Sequence, residues 1–305
     1  MLNELMRTSD AQVLAFVGVG AMGEGMCRNL ARKSGAKVLA VDLDPENLRR
    51  LEPDDVVASS LADVRSAAHT VFLSLPSIKQ VEMVCLDGPE PLAGKGGSVK
   101  IIVDMSTSDA VRTRALAARL ATVGVLLVDA PVARSREAAH EGTLLITVGG
   151  EKGDFDAVRP LLACMGSDVV HCGPVGSGQV AKILNNMVVL STTGLLAEAM
   201  AIGSAAGVDR GMLINVLQLG SADSFALRIV GKYLAQNDFP EKLFPTTYAL
   251  KDLRLALDMA ASTGVHAAMV TCAADRLEQA VAQGYGMHYH PVVYRLIEAP
   301  NRANA

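Results

Sequence analysis

The sequence predicts an α/β fold in two parts: a doubly wound, mostly parallel sheet over residues 1–175, and an all-helical domain over residues 176–305, joined by a long interdomain helix. Three observations predict it. The first 175 residues alternate short apolar runs with helical patterns, the signature of a parallel sheet covered on both faces. After Gly178 the strand signal stops and long amphipathic patterns follow. The first apolar run also leads straight into Gly18-Val19-Gly20-Ala21-Met22-Gly23, a glycine pattern that opens a helix. A chain of 305 residues suits two domains, and half of its residues are hydrophobic, enough for a sizeable core.

Each element has its own warrant. Val13–Gly18, Lys37–Asp42, Thr70–Leu75, Val99–Asp104 and Val125–Asp129 read as buried strands, rich in Val, Ile or Leu and ending at Gly, Pro, Asp or Ser. Helical patterns lie between them at Met22–Lys33, Glu46–Leu51, Ile78–Cys85 and Ala110–Thr122. Leu144–Val148 and Val169–His171 read as strands flanking a helix near Phe155–Cys164. The second half reads as helices at Val180–Ala206, Arg210–Leu219, Ser224–Tyr233, Tyr248–Thr263 and Ala267–Gln283, with a frayed tail at Ala299–Ala305. The long helix is expected to start facing a cleft between the domains, a preferred place for ligands.

Composition narrows the function. There is no Trp, 4% of residues are aromatic and the net charge is −4 with mixed signs, which argues against a nucleic-acid partner. The five cysteines, Cys27, Cys85, Cys164, Cys172 and Cys272, lack metal-ligand or redox-pair spacing and read as reduced thiols. No charged leader precedes an apolar block and no unbroken run of about 18 apolar residues occurs, so neither export nor a membrane span is expected. The expected compartment is cytoplasmic.

The glycine pattern follows a strand and opens a helix, the context a dinucleotide site requires, so the first domain reads as Rossmann-type. Gly18 permits the tight turn, Gly20 lets the backbone approach a pyrophosphate, and Gly23 permits close helix–strand packing. Ala21 and Met22 complete the loop at the helix N-terminus, where an anion is favoured. Asp42 ends the second strand, where a carboxylate can bind ribose hydroxyls. No arginine adjoins it, so NAD is expected over NADP, although Arg49 and Arg50 lie a little further on. Leu75-Pro76 and Asp104-Met105-Ser106-Thr107 end the next two strands on the same edge.

The stretch Gly173-Pro-Val-Gly-Ser-Gly-Gln-Val-Ala-Lys-Ile-Leu-Asn-Asn186 joins a glycine-rich entry to an apolar helix. At helical spacing Lys182, Asn185 and Asn186 share one face. A buried lysine is costly unless paired, and such a lysine can move protons near neutral pH. Asp129-Ala-Pro-Val-Ala-Arg-Ser-Arg136 follows another strand end, where Arg134 could fork onto a carboxylate or sulfonate.

Together these motifs resemble the β-hydroxyacid dehydrogenase family nearly end to end. The resemblance runs through Gly18–Gly23, Leu75-Pro76, Asp104-Met-Ser-Thr107, Asp129-Ala-Pro-Val132, Gly142-Thr-Leu144, Val148-Gly-Gly150, His171-Cys-Gly-Pro174, Gly176-Ser-Gly178, Lys182 with Asn185-Asn186, and Lys251-Asp252-Leu253. It implies that Lys182 is the catalytic lysine and that Asn186 helps hold the substrate. It places Thr107 on the nicotinamide side, and makes Lys251 a residue that closes over cofactor and substrate. Two positions depart from the family pattern. Ala133-Arg134-Ser135 replaces the usual Ser-Gly-Gly at the carboxylate site, and Ala110 stands where a proline is usual. An arginine there is similar to the sulfolactaldehyde reductase branch, and a second carboxylate would suit it equally.

The reading that follows is an NAD-dependent oxidoreductase for a small β-hydroxy acid and its semialdehyde or keto form. Two alternatives stay open: a reductase for a sulfonate aldehyde, and a non-catalytic NAD-binding sensor or scaffold. The family habit and the apolar helices (13 methionines in the chain) imply a homodimer or homotetramer.

Overall fold

The computed structural model describes residues 13–241 and 243–298, and the structural statements below concern those residues. The expected frayed tail lies outside them. The chain divides into two compact units, Met1–Lys182 and Ile183–Ala305.

The first unit holds a nine-stranded sheet. Its strands are β1 (Val13–Val17), β2 (Lys37–Val41), β3 (Val57–Ala58), β4 (Thr70–Leu73), β5 (Ile101–Asp104), β6 (Leu126–Asp129), β7 (Val132–Ala133), β8 (Leu144–Gly149) and β9 (Gly166–Gly173). Strands β3-β2-β1-β4-β5-β6 lie side by side, all parallel. The order reverses between β1 and β4, which makes that strand-end crevice the expected nucleotide site. Strand β8 runs antiparallel to β6 and β7 and parallel to β9.

Alternation along the strands explains the double winding. Leu14, Phe16, Val38, Ala40, Phe72 and Val103 enter one core, while Ala15, Val17, Leu39, Val71, Leu73 and Ile102 enter another on the opposite face. Both faces are apolar, so both need helices. One is covered in part by α1 (Gly23–Ser34), α2 (Pro45–Arg49) and α7 (Lys152–Leu162). The other is covered by α3 (Leu61–Ala67), α4 (Ile78–Glu82) and α5 (Ala110–Ala121). Helix α6 (Arg136–Glu141) packs on α1 at Gly25, where a Cβ would stand 2.7 Å from the Ala139 carbonyl carbon. Asn29 seals that contact, its Nδ2 donating to Ala139 O and His140 O at 2.9 Å.

Helix α8 (Ser177–Ala205) crosses from the first unit into the second. It starts three residues before the expected Val180, inside the glycine stretch. Although no unbroken apolar run was expected to span a membrane, α8 is long and apolar enough to do so by length and composition alone. The second unit continues with α9 (Arg210–Leu219), α10 (Phe225–Gln236), α11 (Thr246–Thr263) and α12 (Ala268–Ala280), and has no strand longer than an isolated bridge among the described residues. Its core gathers Leu196, Met200, Leu227, Val230, Leu253, Leu277 and Tyr294. Along α8, Leu184, Val188, Leu195 and Ile202 stay exposed.

Candidate active site

The glycine loop has the local geometry its sequence demands. Gly18 sits at φ +90°, and a Cβ there would stand 2.3 Å from Ser74 O. A Cβ on Gly23 would stand 2.0 Å from Gly18 O, so only glycine lets α1 start this close to β1. Gly20 differs: a Cβ there would meet nothing within 4 Å. That open space beside bare backbone fits the approach of a pyrophosphate. Ala21 is exposed and Met22, at the helix N-cap, offers no side-chain cap, so the positive end of α1 is left to a ligand.

Asp42 follows β2, and its carboxylate is already ordered. Oδ2 accepts from Val19 N at 2.7 Å, and Oδ1 accepts from Asp44 N at 2.9 Å and Asn47 Nδ2 at 3.0 Å. A carboxylate has about four lone-pair sites, so ribose hydroxyls can still be met. The two nearby arginines are engaged by acids: Arg49 pairs with Glu46 at 2.8 Å and Arg50 with Glu24 at 2.9 Å.

The ends of β4, β5 and β6 are wired to the start of α8. The backbone pairs Leu73 with Asp104 and Asp104 with Asp129, which brings the three ends level. Leu75 N donates to Ser106 Oγ at 2.9 Å, fixing the Leu75-Pro76 turn. Asp104 is fully buried and accepts from Ser106 N at 3.0 Å and Ser108 Oγ at 3.3 Å. Burial is the main reason its carboxyl is pushed up to about 6; the two serines oppose this and the nearby Asp129 adds to it. Asp129 is buried as well and caps α8 from the sheet, accepting from Gly176 N at 2.6 Å and Gln179 N at 2.8 Å. Burial raises its carboxyl too, against those donors. Gly149 and Gly178 close over it, since a Cβ on either would fall within 3 Å of the carboxylate.

Gln179 is wholly buried, with Oε1 accepting from Ser108 N at 2.9 Å and Nε2 donating to Ser106 O at 2.8 Å. Lys182 follows three residues later and is itself buried, 9% exposed. In the first unit the structure thus brings the glycine loop, Asp42, the Leu75-Pro76 turn, Thr107 and Lys182 onto elements that share one wired strand-end edge.

Arg134 and Ser135 make other contacts. Arg134 holds φ +87°, a glycine-type conformation that costs another residue roughly 1–2 kcal/mol. Its guanidinium donates to Ser167 Oγ at 2.8 Å and to Asp168 Oδ2 at 2.7 Å, and also bonds Thr143 O. The Ser167 hydroxyl, and after it Arg134, hold the Asp168 carboxyl below its usual range. Ser135 is the N-cap of α6, its Oγ accepting from Ala138 N at 3.3 Å.

In the second unit Asn186 donates from Nδ2 to Asp252 Oδ2 at 2.6 Å. Asp252 is buried, and Lys251 Nζ lies 3.4 Å from its Oδ1. Asn185 is exposed and donates to Asn186 Oδ1 at 3.2 Å. Sequence reasoning missed Gln179 and Asp252 as partners of the site. Both stood inside quoted motifs, but their partners lie 71 and 66 residues away, beyond any local spacing rule.

Comparison with known proteins agrees with this geometry. Residues 13–173 match the sequence model of the NAD binding domain of 6-phosphogluconate dehydrogenase, and residues 176–297 match that of the NAD-binding domain of NADP-dependent 3-hydroxyisobutyrate dehydrogenase. The chain belongs to the β-hydroxyacid dehydrogenase family. Among the relatives of this dehydrogenase, mitochondrial 3-hydroxyisobutyrate dehydrogenase of Rattus norvegicus is 35% identical over 259 residues, covering 82% of this chain and 76% of the relative. The 2-hydroxy-3-oxopropionate reductase of Escherichia coli is 30% identical over 287 residues, covering 93% and 97%. The structure of 3-hydroxyisobutyrate dehydrogenase from Mycobacterium tuberculosis, solved with L-serine, superposes with a TM-score of 0.83 at 29% identity, covering 95% of this chain and all of that one. The protein is an NAD(P)-dependent hydroxyacid dehydrogenase acting on small substrates, with the Rossmann-type and helical domains the sequence predicts.

Proposed function

We propose that this enzyme interconverts a small β-hydroxy acid and its semialdehyde or keto form, using NAD in preference to NADP, with Lys182 as general acid and base. The observation that carries the reading is the burial of Lys182 on a helix whose first turn is fixed to the ends of β5 and β6. When bound, the cofactor supplies the hydride chemistry. In the direction of reduction, Lys182 Nζ gives its proton to the substrate carbonyl oxygen; in oxidation it takes the hydroxyl proton back. Asn186, held by Asp252, orients that oxygen. Arg134, Ser135 and nearby backbone amides anchor the anionic end, Thr107 lies on the nicotinamide side, and the resemblance gives Lys251 the role of closing over cofactor and substrate. Relatives named for 3-hydroxyisobutyrate, 2-(hydroxymethyl)glutarate and 2-hydroxy-3-oxopropionate share a carboxylate with an oxygen on the β carbon, and this supports the substrate class.

NAD is favoured because Asp42 would repel a 2′-phosphate while Arg49 and Arg50 are already paired with acids. A second reading, a sulfonate aldehyde as substrate, draws on Arg134 in place of a glycine. The exposed Asp168 contact tempers Arg134 for a sulfonate and a carboxylate alike, so the names of the relatives, all carboxylate substrates, are what favour the first reading.

A spectrophotometric panel tests both. It contains 3-hydroxyisobutyrate, 3-hydroxypropionate, tartronate semialdehyde, succinic semialdehyde and sulfolactaldehyde, each with both cofactors. The expected result is highest kcat/KM on a carboxylate substrate, with NADH or NAD above NADPH or NADP by at least about tenfold, a difference of about 1.4 kcal/mol. Highest efficiency on sulfolactaldehyde would install the second reading, and equal or better use of NADPH would overturn the cofactor preference.

The exposed stripe Leu184, Val188, Leu195 and Ile202 on α8 supports association with further copies of the chain. Light scattering is expected to give a dimeric or tetrameric mass, and a monomeric mass refutes it.

A further inference from the structure

Gln179 carries a role that the acid–base reading of Lys182 does not itself contain. Its carboxamide is spent on main-chain groups flanking a single residue, Thr107: the carbonyl of Ser106 on one side and the N–H of Ser108 on the other. A planar amide that satisfies one acceptor and one donor in this way fixes both peptide planes of the residue between them. Its backbone N–H is also held, by Asp129 Oδ2, so the bracket is tied at both ends. Gln179 and Lys182 are three residues apart on α8 and share a face.

We propose that Gln179 is a positioning residue for hydride and proton transfer, setting the distance between the Thr107 segment and Lys182. The inference rests on the reading above, in which Thr107 lies on the nicotinamide side and Lys182 moves the proton. An apolar side chain of similar size would fill the same space. It would leave Ser106 O and Ser108 N–H buried without their partners, and the segment would shift to find others.

The test uses Gln179→Leu and Gln179→Glu in the full-length enzyme, with the panel substrate it turns over fastest. Gln179→Leu is expected to lower kcat about 10- to 100-fold, as an ångström-scale misplacement does. KM and the Kd for NADH should move by less than about threefold, because the glycine loop, Asp42 and the Arg134-Ser135 segment are untouched. The primary isotope effect with NADH deuterated at the transferred position should rise as the chemical step becomes limiting. The Ser108 amide should lose hydrogen-exchange protection. Gln179→Glu adds a readout that mere packing cannot give. Its carboxylate accepts from Ser108 but repels Ser106 O, whereas its protonated form, which burial favours, can donate, so the activity lost relative to wild type should be recovered in part as pH falls.

Wild-type isotope effects and a wild-type pH profile in both variants would overturn the proposal, whatever happens to their stability. Failure of the underlying reading looks different. If Lys182→Ala turns over normally while the Gln179 variants show the expected effects, the acid–base assignment falls and the bracket stands. If Lys182→Ala is inactive while the Gln179 variants behave as wild type, only the bracket falls.

Discussion

A Lys182→Ala variant is expected to turn over substrate at about one thousandth of the wild-type rate, the middle of the range for losing a general acid–base group. The fold should survive. Lys182 is buried on a helix whose start is secured by Asp129 and Gln179, and those bonds remain when its ammonium is removed. NADH binding measured by fluorescence should also persist, since the glycine loop and Asp42 belong to other elements. Lys182→Arg should be nearly as slow, because a guanidinium stays charged at working pH and cannot cycle a proton. Added methylamine should restore part of the Lys182→Ala activity, entering the space left by the side chain and acting as the acid. Turnover of Lys182→Ala within tenfold of wild type would remove this lysine from the chemistry and leave it a structural cation.

How far the sequence reveals such a site depends on the range of the interactions that build it. The five parallel strands β1, β2, β4, β5 and β6 were legible because each is an apolar run with a punctuated end, as burial on both faces requires. Strands β3 and β7 were not, since two residues cannot display a period of two. Helix α6 was missed for its shortness, although Ser135 at its N-cap and Gly142 at φ +72° after its end are ordinary boundary signals. Helix α8 begins inside what reads as a glycine loop. Gly178 is there because a Cβ would stand 2.4 Å from Thr147 O, a packing requirement that local propensity cannot express. The same holds at the site. Motifs and the family resemblance mark Gly18–Gly23, Asp42, Thr107, Lys182 and Asn186 as candidates, whereas the partners that fix two of them, Gln179 for Thr107 and Asp252 for Asn186, depend on pairings across the chain. Arg134 shows the reverse case. The sequence marks it as a cation replacing a glycine, and the structure adds both the left-handed backbone that a glycine would favour and an acid already facing the guanidinium.

Asp104→Asn is expected to make the protein more stable at pH 8 and no more stable at pH 4. Asp104 is completely buried at the end of a central strand, and its carboxyl is pushed up to about 6 from an ordinary 3.8. The folded state therefore holds the proton more tightly than the unfolded chain does. Below about pH 3.8 the group is protonated in both states and contributes no difference. As pH rises from there through about 6, the unfolded chain releases its proton first and stability falls, reaching a loss of about 3 kcal/mol above the upper value. Asparagine removes the ionisation while keeping the contacts: Oδ1 can still accept from Ser106 N, and Nδ2 can donate to the Ser108 hydroxyl. Urea unfolding of the two proteins across pH 4–8 should therefore give curves that meet at the acid end and separate through pH 6, with the variant ahead by up to about 3 kcal/mol. A variant less stable than wild type at pH 8 would mean that the ionised carboxylate, through its serine donors, contributes more to the Ser106–Ser108 turn than its burial costs.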